Sequence, residues 1–178
     1  GITPHENIQF LLVLSCIISA VDKHAGLLRE SAADPGNDFR LGANEAPPAI
    51  ISIFLGEQLE DVVEQLISTG NATRSKKCGT LHTGVRTLPD LSTDATDRNR
   101  TSPFAFTGNK FEFRMVGSRD SIGMPNTVLN TIVAEAFCDA CDRLENSKNL
   151  VDAVHDLIKE NLSEHQRVIF NGNGYSRE

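Results

Sequence analysis

The stretch Lys110-Phe111-Glu112-Phe113-Arg114-Met115 alternates polar and apolar side chains with a period of two. Successive side chains of a strand point to opposite faces, so Lys110, Glu112 and Arg114 share one face and Phe111, Phe113 and Met115 the other. The aromatic face belongs in a core, because three large apolar side chains in register are too costly to leave wet. Thr107-Gly108-Asn109 supplies turn chemistry just upstream, which makes residues 103–106 the partner strand of a hairpin. The opposite face sets an acid between two bases. By pattern alone it also suits a solvated surface of ordinary ion pairs, each worth at most about 1 kcal/mol.

The 178 residues are enough for one domain with a real core, read as residues 1–178. Apolar content of 39% and charged content of 23% are globular rather than disordered values. A net charge of -7 and a pI near 5.2 argue against nucleic acid or an anionic membrane as a bulk partner. Basic groups still cluster at residues 74–77 and at Arg98 and Arg100. An acidic chain that concentrates arginine locally suits a small anion. The thiols of Cys16, Cys138 and Cys141 lie in apolar helical patterns and read as small buried side chains of a reducing cytosol. A zinc site would need a second pair or histidines at ligand spacing.

Thr3-Pro4-His5-Glu6 reads as a helix start with a capping box, opening one buried helix through Leu28. Its apolar run, residues 10–21, is shorter than the roughly 20 residues a bilayer span needs and lacks the basic leader of a signal peptide. After a Pro-Gly break, the polar loop 39–48 carries Arg40 and Glu45. Residues 49–55 read as a buried strand. Leu59, Val62, Val63, Leu66 and Ile67 then give an amphipathic helix, with Gly70 as its C-cap. A short strand is expected at 81–88. Pro125 opens another helix, and a last one runs from Leu150 to about Val168, with His155 and His165 at surface positions. Residues 171–175 are turn-rich. The helix at 10–21 and the strand at 49–55 are apolar enough to call for outside cover, which predicts self-association.

Three segments converge: Arg40-Leu41-Gly42-Ala43-Asn44-Glu45-Ala46-Pro47-Pro48, Asp97-Arg98-Asn99-Arg100-Thr101-Ser102, and Phe111-Glu112-Phe113-Arg114. In this order they resemble the C-terminal part of a glutamine synthetase catalytic domain. The fuller wording, with GNDFRLGANEAPPAIISIFLG, DRNRTSPFAFTGNKFEFRMVGS and PNTVLNTIVAE, looks like the type III branch. The resemblance implies an α+β fold, an antiparallel sheet with a polar active-site face packed by helices. It also implies ligation of ammonia to glutamate through a γ-glutamyl phosphate, dependent on ATP and magnesium, with manganese as an alternative.

Carried over residue by residue, Glu112 matches a magnesium ligand and Arg114 an arginine facing substrate and the transferring phosphate. Arg100 matches a phosphate-contacting arginine, Arg40 the arginine that holds glutamate, and Glu45 the flap glutamate that receives the ammonium proton. Lys110 falls on the nucleotide side. The resemblance implies a cytoplasmic homo-oligomeric ring acting on glutamate, ammonia and ATP, with no nucleic acid and no membrane. The family's other metal-ligating glutamates, its metal histidine and much of its nucleotide pocket belong upstream of residue 1. Gly123-Met124-Pro125 also departs from the family wording. The chain is therefore expected to carry part of one active site and to be inactive alone. Two other readings stay open: a γ-glutamyl ligase for another amine, and a noncatalytic assembly or regulatory module on the same fold.

Overall fold

The computed structural model describes residues 3–33, 51–76, 80–81, 91–92, 102–117 and 120–172. The first long helix, α1 (Ile8–Lys23), is started by Asn7 rather than Thr3. Thr3 Oγ1 does donate to the Glu6 carboxylate, but Pro4–Glu6 close only a 3-10 turn. Asn7 Oδ1 then accepts the Phe10 N–H at 3.0 Å, satisfying one of the amides that a helix start leaves open. The expected single helix is also two. At His24 the chain bends by 73° into α2 (Ala25–Ala32). The bend carries Leu28 and Ala32 into the core, while the His24 ring meets Glu135 Oε2 at 3.1 Å.

Leu11, Leu14, Ile18 and Val21 of α1 recur at helical spacing and are all buried. They pack against α4 (Gly123–Glu145) and α5 (Leu150–His165). The stripe on α4 is Val128, Ile132, Ala136 and Ala140; on α5 it is Leu157, Ile158 and Leu162. Each fully buried Leu, Ile or Val contributes about 1.5–3 kcal/mol. Helix α4 begins two residues before Pro125, which costs nothing because first-turn amides have no partner within the helix. Helix α3 (Glu57–Thr69) ends as expected, with Gly70 left-handed at φ 79° and its N–H on Leu66 O at 2.9 Å.

Strands β1 (Ile53–Phe54), β4 (Phe104–Phe106) and β5 (Phe111–Phe113) form a sheet in the order β1-β4-β5. The β4–β5 pair is antiparallel, but β1 runs parallel to β4, so among the described residues this sheet is mixed rather than antiparallel. The long connection between β1 and β4, which holds α3, makes a parallel return possible. Strands β2 (Thr80–Leu81) and β3 (Leu91–Ser92) pair antiparallel; residues 82–88 of the strand expected there lie outside the described residues.

Three further expectations are corrected. Ile51, Ile53 and Leu55 are buried within the chain itself, so this stretch needs no outside cover. Cys16 is buried, but Cys138 and Cys141 are exposed, because the apolar stripe of α4 turns them away from the core. His165 is not at the surface. Its Nδ1 meets Asp22 Oδ2 at 2.8 Å, with both side chains less than one-tenth exposed. Among the described residues no single helix is long and apolar enough to cross a membrane.

Candidate active site

Gly108, at φ 95°, makes the tight turn of the β4–β5 hairpin, and Thr107 N–H closes it on Lys110 O at 2.9 Å. The register sets Phe104 opposite Phe113, Ala105 opposite Glu112 and Phe106 opposite Phe111. The aromatic side packs as the alternation requires. Phe104 stacks on Phe111 at 4.9 Å between centroids and meets Phe113 edge-on at 6.2 Å. Phe106 reaches Phe10 of α1 at 5.8 Å, which fixes the hairpin to the helical core. Met115 is buried beyond them.

On the other face Glu112 is held from both sides. Lys110 Nζ lies 3.2 Å from Oε1, and Arg114 Nη2 and Nε lie 3.0 and 3.2 Å from Oε2. Hydrogen bonds from Arg114 and then Lys110 hold the Glu112 carboxyl below the ordinary carboxylate range, so it stays an ionised acceptor. The Arg114 side chain is only 16% exposed, against 65% for Lys110. Its backbone N–H is fixed on Pro103 O at 2.7 Å. The planar guanidinium is thus fixed, with its Nε and Nη2 engaged by the Glu112 carboxylate. The structure thus brings Lys110, Glu112 and Arg114 together; Arg40, Glu45 and Arg100 lie outside the described residues.

Sequence reasoning missed a support at the far edge of this sheet, beside β1. Residues 169–171 run along the side of β1 away from β4, with Phe170 N–H on Ile53 O at 2.8 Å. Asn171 Oδ1 accepts the N–H groups of both Leu55 and Gly56, each at 2.9 Å. The only signal at this position was turn-rich composition, which does not name a partner.

Residues 153–178 match the family model described as Glutamine synthetase C-terminal domain. Over 99% of its length the chain is 50% identical to the type-3 glutamine synthetase of Dictyostelium discoideum, covering 24% of that protein. It is 40% identical to the glutamine synthetase of Bacteroides fragilis (strain YCH46) and 44% identical to that of Butyrivibrio fibrisolvens, in each case over 100% of this chain and 25% of the relative. The chain is similar to glutamine synthetases along its whole length. It spans about a quarter of the length of these relatives.

The glutamine synthetase homology covers the whole hairpin, so the Lys110–Glu112–Arg114 face lies inside the related region. Magnesium takes oxygen ligands, usually one or two carboxylates with waters and phosphates. Among the described residues no group of three or more His, Cys, Asp or Glu side chains could hold a metal ion. Glu112 is a single carboxylate with both oxygens on cations. Among the described residues Glu112 thus supplies one of the carboxylates such an ion takes, not a complete site.

Proposed function

We propose that this chain forms part of the catalytic surface of a glutamine synthetase, which joins ammonia to glutamate through a γ-glutamyl phosphate at the expense of ATP. The homology to a type-3 glutamine synthetase at 50% identity, over 99% of the chain, carries this reading. The polar face of β5 supports it from chemistry. Two substrate carboxylates and a transferring phosphoryl group need fixed cations in a site that excludes water.

In this reading Arg114 faces substrate and the phosphoryl group, where its backbone anchor and restricted side chain favour a fixed position over reach. Lys110, longer and wetter, serves the nucleotide side. Arg40 holds the glutamate carboxylate with a bidentate fork, Arg100 contacts phosphate, and Glu45 closes the site and accepts the ammonium proton. Glu112 offers one carboxylate to magnesium or manganese, whose other ligands come from outside the described residues. The whole protein acts as a cytoplasmic homo-oligomeric ring, with residues 1–178 as one portion of its catalytic domain.

The experiment is an assay of the full-length protein that carries this chain, supplied with glutamate, ATP, magnesium and ammonium. Glutamine and ADP should form together. Replacing ammonium by primary amines tests the substrate directly. A γ-glutamyl amide formed faster than glutamine would make the chain a ligase for another amine, and no ATP turnover with any amine would leave a noncatalytic module.

A further inference from the structure

The turn-rich end of the described chain is tied to β1 and to Ser102, the residue before the carbonyl that holds the Arg114 amide. Phe170 N–H donates to Ile53 O on β1 at 2.8 Å. The Phe170 carbonyl accepts from Ser102 Oγ at 3.0 Å, and Ser102 Oγ itself accepts from Ser52 Oγ at 2.9 Å. Ser102 is only 4% exposed, and the next residue, Pro103, gives its carbonyl to the Arg114 N–H at 2.7 Å. One residue past Phe170, Asn171 Oδ1 takes the Leu55 and Gly56 amides where β1 passes into α3. These bonds join positions 50, 68 and more than 100 residues apart in sequence.

We propose that residues 169–171 are a positioning strap for Arg114, with Asn171 and Ser102 as its two polar fasteners. This rests on the reading of Arg114 as the cation that faces substrate. The strap and β4 hold β1 from its two sides, and Ser102 binds the strap to the residue that anchors Arg114. Buried polar contacts are costly to leave unmade, so the set tolerates little slippage as a group. Asn171 Nδ2 is buried without a hydrogen-bond partner among the described residues. The position therefore uses the acceptor oxygen and not the amide N–H. Asp keeps that acceptor, and its charge is favoured beside two amides at a helix start.

The test uses the full-length protein and compares Asn171→Ala, Asn171→Asp and Ser102→Ala, with Arg114→Ala as control. Asn171→Ala and Ser102→Ala should each lower kcat/KM by about tenfold or more, since misplacing a group by about 1 Å can cost 100-fold. Asn171→Asp should restore turnover to near wild type. Hydrogen exchange at the Arg114 amide should quicken in both alanine variants and not in Asn171→Asp. Should one alanine variant fail to fold, the other carries the comparison. Wild-type kcat/KM in the alanine variants, or an Asn171→Asp loss equal to that of Asn171→Ala, overturns the strap. If Arg114→Ala itself keeps full turnover, the substrate-facing reading of Arg114 fails. The strap is then judged by exchange alone, and an unchanged Arg114 amide overturns it.

Discussion

His165 Nδ1 sits 2.8 Å from Asp22 Oδ2, joining the end of α5 to the end of α1 across 143 residues of sequence. Arg167 Nε adds contacts of 2.9 and 3.0 Å to the same carboxylate from the 3-10 turn that follows. Burial raises the Asp22 carboxyl, but the hydrogen bonds from Arg167 and His165 outweigh it and hold the group below its ordinary value. A depressed carboxyl stabilises the fold fully above the unfolded value of about 3.9 and loses that contribution as pH falls through the folded value. Asp22→Ala should therefore cost about 1–3 kcal/mol near neutral pH, largely by leaving a buried histidine unpaired. The gap to wild type should close as pH falls through the acid range. Urea denaturation at neutral and acid pH checks this, and coincident curves at neutral pH would refute it.

Glu112 lies at the centre of the wet face, so its loss should leave the fold intact and remove the chemistry. If the proposed activity holds, Glu112→Ala in the full-length protein is expected to abolish ATP-dependent glutamine formation while assembly, read by light scattering, is unchanged. Turnover like that of wild type would sink the assignment.

Arg40 and Glu45 should separate by step. Arg40→Ala is expected to lose a charge-assisted hydrogen bond worth about 1.5–3 kcal/mol, seen as a raised KM for glutamate. Glu45→Ala should instead slow the ammonia step if, as proposed, that residue closes the site and accepts a proton. Steady-state kinetics with each substrate varied in turn distinguishes them. An unchanged glutamate dependence in Arg40→Ala contradicts the division.

The thiols divide by accessibility. Burial pushes the Cys16 thiol up, whereas Cys138 and Cys141 stand exposed on α4. Since the thiolate is the reactive form, iodoacetamide should label Cys138 and Cys141 well before Cys16 under native conditions. Peptide mass spectrometry reads the order, and equal labelling of Cys16 would contradict the packing of α1.

What could be read from the sequence was what neighbouring residues decide. The β4–β5 hairpin was legible because alternation and a Thr-Gly-Asn turn act within a dozen residues. Helix α3 was legible from its apolar stripe and from a glycine that accepts a left-handed end. The break at His24 was not, since helical spacing continues through it and only packing of Leu28 and Ala32 demands the bend. The polar faces misled in the same way. His165 looked like a surface residue because its partner, Asp22, lies in a distant helix. For the site, local alternation placed Glu112 between Lys110 and Arg114, while the Asn171 and Ser102 contacts depend on chain segments that meet only after folding.

The strap along β1 also guards against the wrong neighbour. A strand with an open side offers a row of unpaired N–H and C=O groups that any extended chain can complete. Here Ile169 and Phe170 take that side of β1, and the Asn171 side chain takes the next two amides. Cleavage before residue 169 would uncover an apolar template, Ile51 to Leu55, next to the phenylalanines of β4. The damage would then be intermolecular as well as local, with nicked chains recruiting one another edge to edge.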